Sequence, residues 1–200
     1  MNTKKLTLTI LFAVIAITLN PTLTRIAVAA PFVPGLVYQV WEIPIVIAFL
    51  IISPIAGIAV SLLNTGVLFA IFPGMLPTGP MYNLLATLSM QIGLYVAILV
   101  IKKIYYRKNP QVTILTNPKC LIATTVMGIL TRAAFMTIIL YFALPQAPPI
   151  GFGFDQAVTN AYLPLAAIFN ATLALYTIPI AWIVAQRVQK ILNLNLTRNK

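Results

Sequence analysis

Acidic side chains are nearly missing from this 200-residue chain, which has only Glu42 and Asp155. Histidine is absent, and cysteine occurs once, as Cys120. A lone cysteine forms no internal disulfide, and without His and Cys spacings no metal site is expected. The chain also lacks a carboxylate pair, a Ser-His-Asp set and a glycine-rich phosphate loop, so neither an enzyme nor a nucleotide hydrolase is expected. Charge of either sign is scarce, at 8% of residues against 60% hydrophobic, whereas soluble domains run near a quarter charged. The formal net charge of +11 invites a nucleic-acid partner. The Lys and Arg residues, however, sit in a few clusters between apolar runs rather than on one basic face, so none is expected.

What is abundant is long apolar sequence, and the mean hydropathy is +0.98. These features predict a single all-α integral membrane domain over residues 1–200, a bundle of six transmembrane helices in the cell membrane with the lipid bilayer as solvent. The spans are expected near residues 6–30, 43–52, 55–72, 81–101, 120–144 and 161–188. The second is too short to cross upright. "IISPIAG" at its end favours a short helix and a tight turn, because a residue before proline is biased away from helix. Lys4 and Lys5, then Lys102, Lys103, Arg107, Lys108 and Lys119, then Arg187, Lys190, Arg198 and Lys200 all fall on one side of a six-span layout. Both termini are therefore expected to be cytoplasmic. The start, "MNTKKLTLTILFAVIAITL" followed by "AVAA", is also similar to a secretory signal. Its apolar core lies far from Ala29 for a cleavage site, so the first span is expected to be retained.

The few polar groups inside apolar sequence are the candidate binding residues. Arg132, in "GILTRAAFMTIILYF", lies mid-span, where a cation costs on the order of 3 kcal/mol. It should face the bundle interior and find an acceptor, which leaves open a structural role or a place in a substrate cavity. Glu42, in "QVWEIPIV", is the candidate counter-charge, the alternative being a place in water at the span boundary with Trp41 as an interfacial anchor. The amides Asn64, Asn83 and Asn170 each need partners, either a neighbouring helix or a ligand. Asp155, in "PPIGFGFDQAVTN", lies in a loop that can form an aromatic lid or a plain solvated connection. Such a set suits binding rather than catalysis.

Taken in order, these stretches resemble the substrate-binding S components of energy-coupling factor (ECF) transporters, most like the riboflavin type. "QVWEIPIVIAFLIISPIAGIAVSLLN" is similar to the second and third helices of that family, and "PTGPMYNLLATL" to the entry of the fourth. "TRAAFMTIILYFALP" looks like the fifth and "YLPLAAIFNATLALY" the sixth. The resemblance implies a six-helix protein that captures a vitamin, with riboflavin the first candidate, and carries no cofactor of its own. It implies partnership with a transmembrane coupling (T) subunit and two ATP-binding subunits. It also assigns substrate binding to Gln39, Trp41, Glu42, Asn64, Asn83, Arg132, Tyr141 and Asn170, and docking of the coupling subunit to Ala13 and Ala16. Leu173 and Leu140 stand where riboflavin-type members tend to carry Lys and Asn, so a greasier pocket is expected, one that fits a flavin precursor, another vitamin or a more apolar solute. Two alternatives remain: a membrane scaffold or assembly protein of the same shape, and a carrier that works alone.

Overall fold

The computed structural model describes residues 3–24, 28–33, 35–71, 77–106 and 114–191. Its elements are α1 (Thr3–Thr18), α2 (Pro21–Thr24), strands β1 (Val28–Ala29) and β2 (Val37–Tyr38), α3 (Glu42–Ile51), α4 (Pro54–Ile71), α5 (Gly79–Ile101), α6 (Pro118–Ala143) and α7 (Gln156–Ile191). A π turn at Lys102–Tyr106 extends α5, and a short 3-10 turn at Ile114–Thr116 precedes α6. Around the bundle, α1 packs on α3 and α4, α4 on α5, α5 on α6, α6 on α7, and α7 closes back on α3.

Among the described residues, four helices are long and apolar enough to cross a membrane: α4, α5 with its π turn, α6 and α7. The six expected segments are thus four long helices plus two shorter ones, α1 of 16 residues and α3 of 10, the latter short as expected. The boundary after α3 is as expected. The helix stops at Ile51, Ser53 Oγ accepts the Ala56 N–H, and Pro54 opens α4. Proline fits there because the first-turn N–H groups have no helical partner. Its capping Ser supplies what the backbone lacks.

Two boundaries correct the sequence reading. The first span does not continue from Leu19 to Ala30. Asn20 precedes Pro21, and its Oδ1 takes the Thr22 N–H, so the chain turns into the single turn of α2. It then forms the small antiparallel hairpin β1–β2, in which Val28 pairs Tyr38. The last helix begins at Gln156 rather than Ala161 and runs to Ile191. Asp155 caps it: Oδ1 accepts the Val158 N–H at 2.7 Å and the carbonyl accepts the Thr159 N–H. Polar Gln156, Thr159 and Asn160 had hidden this first turn among the loop residues. Pro164 and Pro179 stay inside α7.

Strand β1 is exposed, but the residues that follow it turn inward. Ala30 and Val33 are buried against Phe169 and Leu173 of α7, joined by Leu36 and Tyr38. Because the chain descends along α7, α3 starts at half depth. Glu42, its first residue, meets Arg132, which lies 11 residues before the end of α6, or about 16 Å of helix rise. This descent is why the second apolar helix is short.

Much of the remaining interior is packed with apolar side chains. Ile45, Val46, Ala48, Val60, Met90, Leu94 and Ile178 form part of one buried cluster contributed by α1 and α3–α7. Ala13 and Ala16 belong to it, at 3% and 0% exposure, against the α3 and α4 neighbours of α1. The expected docking role needs both alanines on an outer face, and in this structure they face inward. The outer side of α1 is made by Ile10, Leu11 and Val14 instead.

Candidate functional site

At the end of the bundle where α1 finishes, α5 begins, α6 finishes and α7 begins, the helices splay around a cavity of about 760 Å³. Its walls come from Asn20 and Thr22, from Leu36, Val37 and Gln39 of the descending segment, and from Tyr82, Asn83 and Ala86 of α5. Arg132, Met136 and Leu140 of α6 and Tyr162, Phe169 and Asn170 of α7 complete the barrel of side chains. Ile150, Phe152 and Phe154 of the α6–α7 loop cover the mouth. The Phe152 and Phe154 rings stack at 5.3 Å, and Phe154 meets Tyr162 edge-on at 6.1 Å. Two bonds tie this loop to the start of α5: Thr78 Oγ1 donates to the Pro149 carbonyl, and the Tyr82 hydroxyl to the Ile150 carbonyl. The loop that read as either lid or solvated connection is an aromatic cover whose far end, at Asp155, caps α7.

The inner end of the cavity is polar and fully ordered by its own bonds. Arg132 makes a two-pronged pair with Glu42, Nη2 donating to Oε1 at 2.9 Å and Nη1 to Oε2. Nη1 also contacts Met90 Sδ at 3.8 Å, and Nε donates to Asn170 Oδ1 at 3.1 Å. Asn170 passes the interaction on, its Nδ2 donating to the Ala166 carbonyl at 2.9 Å. The forked guanidinium matches a carboxylate in a way that a lysine ammonium does not. Glu42 is 0% exposed and Arg132 1%, so each charge depends on the other. Removing either partner alone from such a pair typically costs about 3–5 kcal/mol. Three elements distant in sequence, α3, α6 and α7, are locked at one depth by this cluster.

Beside it, a second set of bonds fixes the descending segment. The Tyr176 hydroxyl donates to the Gln39 carbonyl while the Gln39 N–H donates to that hydroxyl at 3.2 Å. Tyr38 shares a hydrogen bond with Thr172 at 2.9 Å, and its ring packs on Phe169 at 5.1 Å. Trp41 donates its indole N–H to Gln39 Oε1.

The eight expected binding residues therefore separate into groups. Gln39, Asn83, Arg132 and Asn170 line the cavity. Trp41 and Glu42 are buried behind it, and hold Gln39 and Arg132 rather than face the hollow. A ligand stacked on Trp41 does not fit this arrangement. Asn64 is fully buried one turn along α4 from the lining residue Leu68, and neither of its amide atoms has a partner. Tyr141 is 43% exposed on the outer side of α6, edge-on to Phe142, whereas its neighbour Leu140 lines the wall. One residue along a helix turns the side chain by about 100°, enough to exchange cavity for bilayer. Unanticipated by sequence were the contributions of Asn20 and Thr22, which read as part of the first span, and of Leu36, which lies between the first two expected spans. Only the Asn-Pro and Pro-Gly pairs of this stretch could have marked it as loop.

Among the described residues, every Lys and Arg other than Arg132 sits at the opposite end of the bundle. Lys4 and Lys5 start α1, Lys102 and Lys103 follow α5, Lys119 starts α6, and Arg187 and Lys190 close α7. Arg25, Arg107, Lys108, Arg198 and Lys200 lie outside the described residues. Asp155 is at the cavity end, exposed, and does not line the hollow.

No family model matches the chain, and no curated protein matches it. Among solved structures, the S component of a bacterial ECF transporter is similar over 100% of both chains, with a TM-score of 0.63 and 22% sequence identity. The two chains share their fold from end to end.

Proposed function

We propose that this chain is a membrane subunit that binds a small solute for an ECF-type transporter. In this role it takes up a vitamin or related molecule together with a T subunit and two ATP-binding subunits. The cavity carries the proposal: a hollow of about 760 Å³, apolar and aromatic along its walls and ordered by an Arg–Glu–Asn cluster at its base. Such sites, mostly apolar with a few fixed polar groups, are what small-molecule binding needs. The shared fold with a bacterial S component supports the assignment, and riboflavin is the first solute to test.

Topology and packing fit the same role. With the basic residues on the cytoplasmic side, the cavity opens outward and both termini are inside. Below Arg132 the bundle is filled by side chains such as Ile45, Val46, Met90 and Leu94, each fully buried, so the solute has no ready passage through the chain. Release to the inside then requires the whole subunit to move against a partner, and the energy comes from that partner because no phosphate loop occurs in this sequence. This favours a subunit of a larger transporter over a carrier that works alone.

The test is direct. The full chain is purified, denatured and extracted, and the extract is read by absorbance and mass spectrometry. One small molecule at about one per chain is the expected result, and a yellow extract would name a flavin. If chains prepared from cells rich in vitamins carry nothing and bind none of them, the proposal fails and a scaffold role takes its place.

A further inference from the structure

The bonds at the base of the cavity also restrict what the solute can be, provided that the cavity is the solute site. The orientation of each amide there is fixed by chemistry. Trp41 Nε1 and Arg132 Nε can only donate, so the atoms they meet on Gln39 and Asn170 must be the carbonyl oxygens. Both Glu42 oxygens are taken by the guanidinium. Each acceptor atom of this cluster is thus engaged at least once from behind.

The donors are not. The Gln39 amide nitrogen has no acceptor among the described residues, and the Asn170 amide uses one of its two N–H groups on Ala166. Of the five guanidinium N–H groups, Nε engages Asn170, Nη1 engages Glu42 and Met90, and Nη2 engages Glu42 once, which leaves one on Nη2. Arg132, Gln39 and Asn170 all line the hollow, so these spare N–H groups belong to its inner end. The charge there is already cancelled, because Arg132 is the one charged lining residue and Glu42 neutralises it.

We propose that the base of this cavity favours hydrogen-bond acceptors over donors, and reads them on an uncharged ligand. The solute class is a neutral, largely apolar planar molecule whose inserted edge carries carbonyl oxygens or ring nitrogens. Phe152, Phe154, Tyr162 and Phe169 offer ring faces to its body. An anion gains little, since the cation beneath it is already paired, and loses its hydration. An inserted amine or hydroxyl edge meets uncommitted N–H groups and finds only oxygens that already accept a bond, which disfavours it.

The experiment uses three bicyclic probes of similar size: 1,4-naphthoquinone with two carbonyls, uncharged 1-naphthylamine with a donor edge, and anionic 2-naphthoate. Each is titrated by calorimetry into the purified full chain, with empty micelles as the blank. The quinone should bind at least tenfold tighter than either of the others. Gln39→Glu is the second arm, because its carboxylate keeps an oxygen for Trp41 while replacing the spare N–H groups with an acceptor. At unchanged thermal stability it should shrink the quinone-to-amine ratio at least tenfold. A preference for naphthoate or naphthylamine in the unaltered chain overturns the inference, as does an unchanged ratio in the variant or no binding of any probe. A co-purified solute in those cases leaves solute capture standing and removes only the acceptor-edge rule.

Discussion

Two polar clusters lie within the apolar interior, and they are built in opposite ways. The one beneath the cavity joins Arg132, Glu42 and Asn170 and leaves no buried acceptor empty. The other lies between α4 and α5, where Gln91 Nε2 donates to Ser61 Oγ at 2.7 Å and Ser61 donates to the Gly57 carbonyl. There Gln91 Oε1 and both amide atoms of Asn64 are buried without partners. The first cluster contains full charges, and an unpaired charge in such a place is costly enough to force complete pairing. Neutral amides tolerate an imperfect environment at a smaller cost. Where sequence put charge, the fold organised three helices around it; where it put amides, packing came first.

This contrast makes the largest effect a matter of breaking the charged cluster. Glu42→Ala leaves Arg132 buried and alone, and should lower stability by about 3–5 kcal/mol, read as thermal unfolding in detergent. The paired change Glu42→Leu with Arg132→Met should cost less than either Glu42→Ala or Arg132→Ala. A double variant worse than both singles would show that the ion pair is a net source of stability rather than two mutually dependent liabilities.

Helix packing supplies the next effect. A Cβ at Gly93 would overlap Thr131 Oγ1 and the Met127 carbonyl of α6, while one at Gly66 meets nothing within 4 Å. Gly93→Ala should destabilise by roughly 1–3 kcal/mol by forcing α5 from α6. Gly66→Ala should gain up to about 1 kcal/mol of helix propensity. Equal melting temperatures for the two would mean that the α5–α6 approach is looser than described.

The second cluster predicts a smaller and opposite change. Asn64→Leu removes a buried amide that has no partner, so stability should stay level or rise by about 1 kcal/mol. A clear loss would reveal a partner for Asn64, and would bring the two clusters closer in kind. The smallest effect is expected at Tyr141, whose hydroxyl is on the outer side of α6. Tyr141→Phe should alter stability by no more than about 0.5 kcal/mol and leave solute affinity unchanged. Weakened affinity would place Tyr141 back among the binding residues.

How far the site could be read in advance follows from particular residues. Glu42 and Arg132 were conspicuous because charge is so rare here, and Asn170 because an amide in an apolar run needs a partner. Their meeting was not legible, since Glu42 and Arg132 are separated by 90 residues. Residues 20–30, which lead into the descending segment, were read as more of the first helix because Ala and Val fill their end. Tyr141 was misplaced for a different reason: in lipid the outer face of a helix is as apolar as the inner one, so hydrophobic periodicity does not tell which side is in. On α6 the exposed Ile122, Val126, Leu130, Phe135 and Ile138 are as apolar as Met136 and Leu140, which line the cavity.

Composition by itself determined that this protein's helices belong to a bilayer, where most helix boundaries fall, and which few polar groups demand partners. Those are local properties, set by transfer energies, proline and capping chemistry along a short length of chain. Only the tertiary structure decided that the α1–α3 segment enters the bundle, that Trp41 and Glu42 stand behind the cavity, and that Leu140 rather than Tyr141 faces it. Each of these depends on which surfaces of distant helices come together, and a uniformly apolar sequence encodes that through shape rather than polarity.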